Sequence, residues 1–247
     1  MSHRFFVEGD TLAPEQCRQI ATVLRLAPGA VVTLVRDGLE LDYRLDRVGR
    51  DEVSGTVVAR RPAAGEPRVA LTLALPLLRG DRCEEVIEAV TQLGVSRLAP
   101  YTSARSVVRT LSAEKRERWR RIAREAAETA RRGRAPTIDE ARDWSALLAA
   151  LPGPLVVAWE EEHERALEAT LEVLAERPAG SAAAAVAPRP LATLALVVGP
   201  EGGLGEDEVA LARERGGLTV SLGRRVLRAE TAAIAAVARV VAALDRG

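Results

Sequence analysis

The sequence predicts an α/β protein in two parts, a small β-rich domain over residues 1–66 and a parallel α/β domain over residues 67–247. Three observations carry this. The opening quarter consists of short strand-like segments joined by tight turns. From residue 68 onward, continuous apolar runs alternate with helical segments, the pattern of a parallel sheet covered on both faces. Near the carboxyl end, two buried strands run into glycine-bearing turns, Gly199-Pro200-Glu201-Gly202-Gly203 and Leu222-Gly223-Arg224-Arg225. Strand-end turns are where α/β proteins hold nucleotide-like ligands.

In the first part, Phe5-Phe6-Val7, Ala30 to Arg36, Leu39 to Leu45 and Val53 to Arg60 read as strands. Asp37-Gly38 between two apolar runs is a hairpin signal, because both residues tolerate positive φ. Glu15 to Leu26 is the one good helix, and the whole suggests a small β-barrel. Arg61 to Pro67, with two prolines and a glycine, reads as a linker. Beyond it, Val69 to Leu75 is apolar throughout, as a strand buried on both faces must be. Asp81 to Leu93 is helical with Gly94 as its stop, and Arg97 to Tyr101 is the next strand. Ser112 caps a long helix over residues 113–130. A short helix (144–151), a strand (154–159) and a helix (164–175) follow. Residues 177–190, rich in Ala, Pro and Gly, read as a surface loop. Strand 191–198, helix 206–215, strand 218–222 and a final helix 229–244 complete the alternation, and no internal repeat is visible.

Composition narrows the function. Lysines and arginines number 35, as do acids, so formal net charge is zero, and Lys115 is the only lysine. The balance is uneven: residues 1–66 sum to −1, residues 67–135 to +7 and residues 136–247 to −6. A basic middle in a neutral chain suits a face for a polyanion such as RNA. Equally, it suits a solvated helix whose Arg and Glu residues pair at helical spacing. No run of 18 apolar residues occurs, so no membrane span is expected, and the first residues lack an apolar signal core, which makes a cytoplasmic home the default. Cys17 and Cys83 stand alone, and His3 and His163 are too few and too far apart for a cluster, so neither a disulfide scaffold nor a metal site is expected.

The turns hold the candidate chemistry. Glycines at 199, 202, 203 and 205 let a ligand touch the main chain. Glu206, Asp207 and Glu208 fall in the first turn of the next helix, where its dipole favours acids, and their charge argues against a phosphate there. Neither the P-loop pattern nor GxGxxG is present. Glu201 sits inside its turn, placed either to accept backbone hydrogen bonds or to bind a ligand's donors. Leu222 and Leu227 are suited to sandwich a flat purine. Arg228 and Glu230, at the start of the last helix, are either a dipole acid with its surface mate or a reactive pair. From Ala232 to Leu244 that helix carries one charge, Arg239, so it is expected to be buried all round, deep in its own subunit or against a second copy.

These turns carry a resemblance. Val-Val-Gly-Pro-Glu-Gly-Gly (197–203) with Ser-Leu-Gly-Arg-Arg-Val-Leu-Arg-Ala-Glu-Thr-Ala-Ala (221–233) is similar to the RsmE family, the 16S ribosomal RNA uridine-N3 methyltransferases of the SPOUT class. Leu-Arg-Gly-Asp-Arg (78–82), Leu-Gly-Val-Ser-Arg (93–97), Arg-Ser-Val-Val-Arg (105–109), Glu-Ala-Ala-Glu (125–128), Arg4-Phe5-Phe6-Val7 and Val23-Leu24-Arg25-Leu26 extend it over nearly the whole chain. The resemblance implies a PUA-like β-barrel that grips RNA, then a SPOUT-type knotted α/β methyltransferase domain with a carboxyl-terminal trefoil knot. It implies S-adenosylmethionine (SAM) held by Trp159, Val198, Gly199, Pro200, Glu201, Gly202, Leu222, Gly223, Val226, Leu227 and Thr231. Arg228 would stabilise the uridine anion, and Glu230 would act as general base or orient Arg228. Arg4, Arg25, Arg82, Arg105, Arg109, Arg131, Arg132 and Arg134 would contact 16S rRNA in the small ribosomal subunit. The family's homodimer would use the last helix. The chain departs from the family pattern at Gln19, at Arg79, over Glu88-Ala89-Val90-Thr91-Gln92, at Ala104 and over Thr129-Ala130-Arg131, all on the presumed RNA side. Such departures leave open a knotted methyltransferase for another RNA site, a ribose 2′-oxygen or a different base, and a non-catalytic ribosome-assembly factor.

Overall fold

A computed structural model describes residues 3–9, 11–176 and 191–245, so the loop expected over 177–190 lies outside the described residues. The chain divides into two compact units, residues 1–66 with 124–135, and residues 67–123 with 136–247.

In the first unit, strands β1 (Arg4–Phe6), β2 (Val31–Arg36), β3 (Leu39–Val48) and β4 (Val53–Pro62) form one sheet in the order β1-β2-β3-β4. The first pair is parallel and the others antiparallel. Asp37 (φ 52°) and Gly38 (φ 79°) make the β2–β3 turn, as their sequence requires. Phe5, Ile20, Val32, Leu34, Leu41 and Leu45 form the core beneath the sheet. Among the described residues β1 and β4 do not pair with each other, so the expected barrel is an open four-stranded sheet. Strand β4 ends in exposed Arg60 and Arg61, whose charges blunt that edge. The helix expected over 15–26 is shorter: α1 (Pro14–Arg18) runs into a π-helical turn, Gln19–Val23. The Thr22 hydroxyl donates to the Arg18 carbonyl (2.6 Å), and the Leu24 N–H reaches back to the Gln19 carbonyl (2.9 Å). Arg25 at φ 51° then ends the helical path.

The second unit holds a seven-stranded sheet in which every strand pairing is parallel. Its strands are β5 (Ala70–Pro76), β6 (Arg97–Thr102), β7 (Thr137–Ile138), β8 (Arg142–Asp143), β9 (Leu155–Ala158), β10 (Thr193–Val198) and β11 (Leu218–Val220). The order is β11-β9-β10-β5-β6-β7, with β8 also on β6. Helices α2 (Arg82–Leu93), α3 (Ala113–Thr129), α4 (Trp144–Ala150), α5 (Leu167–Glu176), α6 (Glu206–Glu214) and α7 (Ala229–Leu244) connect them.

Alternate residues of β5 face opposite layers. Leu71, Leu73 and Leu75 pack with residues of α2, α5 and α7, while Ala74 packs with Trp144, Leu147, Val209 and Ala212 of α4 and α6. Local signals set the helix ends. The Ser112 hydroxyl accepts from the Lys115 N–H (3.1 Å), and Asp143 accepts from the Ala146 N–H (2.8 Å). Gly94 at φ 111° closes α2 in the left-handed conformation. Helix α7 buries Ala233, Ala236, Val237 and Val240 completely, yet Ile234, Ala238 and Val241 stay half-buried and Thr231 and Ala242 are exposed. Within one chain it is therefore covered on one side, not all round. No helix of the described residues is long and apolar enough to cross a membrane.

Candidate methyl-donor cavity

Strands β10, β9 and β11 are neighbours, so their carboxyl-terminal loops converge. Between these loops lies a cavity of about 550 Å³. Each loop is held by a different device.

After β9, Trp159 forms one wall, its indole N–H donating to the Leu204 carbonyl (3.3 Å) and its ring lying 5.3 Å from the Arg213 guanidinium. The following turn is organised by Glu162. Its carboxylate accepts from the Thr219 hydroxyl (2.6 Å) and from the N–H groups of Glu164 (3.0 Å) and Arg165 (3.2 Å). The Thr219 bond, opposed by partial burial, holds the Glu162 carboxyl below its ordinary range.

After β10, the buried Tyr101 hydroxyl donates to the Val198 carbonyl at 2.6 Å and pins the strand where it opens into glycines. The turn closes with the Gly203 N–H on the Pro200 carbonyl (2.9 Å). Gly203 has φ 72°, a left-handed conformation that favours glycine, and its open Cα face lies against the Glu160 carboxylate. Glu201 accepts from the Arg79 N–H (3.3 Å) and lies 3.5 Å from Arg82 Nη1. Glu208, one of the three acids opening α6, caps that helix through the Gly205 N–H (2.9 Å) and also accepts from the Ala104 N–H (2.8 Å).

After β11, the Ser221 N–H donates to the Arg165 carbonyl (2.8 Å), and Arg239 donates to the Leu222 carbonyl (3.0 Å). From there Arg224, Arg225, Val226 and Arg228 are exposed around the mouth, Val226 at 87%. Glu230, on the first turn of α7, has one carboxylate oxygen 4.0 Å from Arg82 Nε, while the other, Oε2, is buried with no hydrogen-bond partner. A buried carboxylate oxygen without a donor is costly unless a ligand supplies one. The site thus joins apolar walls (Trp159, Leu222, Leu227), a mostly buried acid (Glu230), a second acid in the glycine turn (Glu201) and exposed arginines at the mouth. That combination fits a molecule with a flat purine at one end and positive charge at the other.

The structure brings together Trp159, Val198, Gly199, Pro200, Glu201, Leu222, Gly223, Val226, Leu227, Arg228 and Glu230, all of which line the cavity. Gly202 and Thr231 do not. Gly202 lies behind the wall with its carbonyl accepting from Arg105 (3.2 Å), and Thr231 is exposed on α7. The suggestion that Glu230 orients Arg228 is corrected, since the cation beside Glu230 is Arg82. Arg82, expected to meet RNA, also lines the cavity, with its side chain 42% exposed. Sequence reasoning missed Glu160, His163 and Ser221 as lining residues, although Glu160 and His163 lie one and four residues after Trp159 in the β9 loop.

Two further RNA candidates are corrected. Arg132 is 1% exposed and bound to Glu66 (2.8 Å), and Arg4 is paired with Glu40 (2.6 Å) and donates to the Arg132 carbonyl (3.0 Å). Neither guanidinium faces solvent, because each neutralises a mostly buried carboxylate. Arg25, Arg105, Arg109, Arg131 and Arg134 are exposed, with Arg109 donating to the Ser103 and Ala104 carbonyls. On α3 and its approach, Arg116, Arg118 and Arg120 pair with Glu140, Glu84 and Glu117, so part of the basic middle serves structure.

A family model described as an RNA methyltransferase domain matches residues 65–241. The ribosomal RNA small subunit methyltransferase E of Bacillus subtilis (strain 168) is 32% identical over 237 residues, covering 93% of this chain and 88% of that protein. The protein of the same name from Mycobacterium tuberculosis is 33% identical over 228 residues, covering 89% and 81%. Among solved structures, ribosomal RNA small subunit methyltransferase E from Neisseria gonorrhoeae bound to S-adenosyl methionine superposes with a TM-score of 0.77 at 25% identity, covering 97% of this chain and 96% of that one.

Proposed function

The chain belongs to the RNA methyltransferase family, and on that footing we propose that it transfers a methyl group from SAM to N3 of a uridine in 16S ribosomal RNA of the small subunit. The observation that carries the reading is the cavity at three adjacent strand ends, with apolar walls and the unpartnered Glu230 oxygen. Its relatives' names and the SAM-bound relative from Neisseria gonorrhoeae support it over the length of the chain.

The cofactor supplies a methyl group on a positively charged sulfur, ready for a single displacement. Leu222 and Leu227 take the purine between them, and Trp159 excludes water beside it. Main-chain groups of Gly199, Gly203 and Gly223 approach the ligand without an intervening side chain. Glu201 and Glu230 favour its positive charge, a Coulomb gain strengthened at Glu230 by its burial. Uridine N3 carries a proton on its pairing edge, so the base must be unpaired or flipped out and must lose that proton. Arg228 faces the charge that develops on the base oxygens, and the Glu230 carboxylate receives the proton.

In this reading residues 67–247 form a SPOUT-type domain with a trefoil knot at its carboxyl end, and residues 1–66 form a PUA-like module that grips RNA. Exposed Arg25, Arg105, Arg109, Arg131 and Arg134 meet phosphates. The apolar side of α7 left half-buried, with Ile234, Ala238 and Val241, supports a homodimer through that helix. The place of work is the cytoplasm, where the small subunit is built.

Nucleoside mass spectrometry tests the chemistry. Small subunits from a strain lacking the protein, incubated with the protein and SAM, should gain 3-methyluridine at one position. A ribose-methylated nucleoside would move the acceptor to the 2′-oxygen. Absence of any methylated nucleoside, with SAM bound, would leave an assembly factor.

A further inference from the structure

Beyond its first turn, helix α7 carries a single charge, Arg239, 32% exposed. All three of its guanidinium nitrogens have partners. Nε and Nη2 bind the two oxygens of Glu168 on α5 at 2.6 and 2.7 Å, and Nη1 donates to the Leu222 carbonyl at 3.0 Å. The bidentate bond fixes the plane of the guanidinium and so the direction of its third bond. Leu222 is the root of the β11 loop that walls the cavity, and the preceding Ser221 N–H is tied to the Arg165 carbonyl (2.8 Å). Past this root, Gly223 has φ 114° and Arg224 to Val226 are exposed. The root is clamped and the tip is not.

We propose that Arg239, aimed by Glu168, is a positioning residue for the methyl-donor site: it holds the Leu222 carbonyl so that the loop from Leu222 to Arg228 stands ready for the cofactor. This rests on the reading of the cavity as the SAM site. Neither side chain lines the cavity, so both act through the loop. Without the clamp the loop must be ordered at the moment of binding, which weakens affinity and leaves the displacement itself unchanged.

The test uses Arg239→Met, which keeps the stem and removes the donors, and Glu168→Gln, which loosens the aim while leaving Arg239 in place. Calorimetry with S-adenosylhomocysteine should show about tenfold weaker binding for Arg239→Met, equivalent to about 1.4 kcal/mol, and a smaller loss for Glu168→Gln. In the cofactor-free protein, amide hydrogen exchange over residues 221–228 should quicken in both variants. The SAM KM should rise while kcat at saturating cofactor stays within twofold. Wild-type affinity and wild-type exchange in folded Arg239→Met, or in Glu168→Gln if the first variant does not fold, would overturn the proposal. A fall in kcat with an unchanged KM would also overturn it. If wild type itself bound no S-adenosylhomocysteine, the reading of the cavity would fail and this proposal with it, a result distinct from binding that is indifferent to the variants.

Discussion

Replacing Tyr101 by Phe removes one oxygen atom and tests how the end of β10 is held. The ring is wholly buried against Trp144, centroids 5.4 Å apart, and Phe preserves that packing. Burial, with the nearby charges of Glu208 and Glu160, pushes the phenol well above its ordinary range, so the hydroxyl is a donor at every working pH. What is lost is its 2.6 Å bond to the Val198 carbonyl. A buried hydrogen bond contributes about 1 kcal/mol, and leaving a buried acceptor with one partner fewer raises the cost to about 1–3 kcal/mol. No cavity term adds to this, since the volume change is one oxygen. The expected destabilisation of the second unit is therefore about 1.5 kcal/mol, about a tenfold change in its folding equilibrium. All three tryptophans, Trp119, Trp144 and Trp159, lie in that unit, so urea unfolding followed by their fluorescence reports on it directly. SAM affinity should fall as well, because Val198 leads into Gly199. A change under about 0.3 kcal/mol with unaltered affinity would refute the claim that this bond sets the strand end.

Arg228→Ala should lower kcat at saturating RNA and SAM by about a hundredfold or more if the guanidinium stabilises the uridine anion, and steady-state kinetics with SAM binding measured alongside will show it. Replacing both Arg131 and Arg134 by Ala should flatten the slope of log RNA affinity against log salt by about 0.7 per lost contact; an unchanged slope in filter-binding titrations would remove them from the interface. Glu40 is partly buried, which alone would raise its pKa, but its bonds to Arg4 and Arg61 bring it below the ordinary carboxylate range. Such a group stabilises the fold above its unfolded pKa, and that contribution is lost as pH falls through the lower folded value. Glu40→Gln should thus be less stable than wild type at pH ~7, with the gap closing below pH ~4, as read from urea midpoints by circular dichroism at the two pH values.

Most of the parallel domain is legible because its elements answer to local rules. Helix α7 occupies the residues its Ala-rich pattern marks, and Gly94 and Ser112 bound their helices by turn geometry and capping. Strands β7 and β8 escape notice because two residues have no periodicity to read. Helix α5 starts at Leu167, three residues later than its pattern suggests. Glu162 takes the N–H groups of Glu164 and Arg165, and Ala166 bridges to Ser221 in extended form. That conflict between helix propensity and a distant strand is invisible along the chain. The cavity turns are legible from glycine, but the partners of charges are not. Arg132 reads as an RNA contact in a run of arginines, yet its mate Glu66 is 66 residues away. Arg82 and Glu230 meet across an even longer separation.

The central claim is that three strand-end loops enclose the methyl donor, and a crystal structure with S-adenosylhomocysteine tests it most directly. The account predicts the nucleoside between Leu222 and Leu227, with a ligand donor bonded to Glu230 Oε2. Density for the ligand elsewhere on the molecule, with Glu230 still lacking a partner, would contradict it.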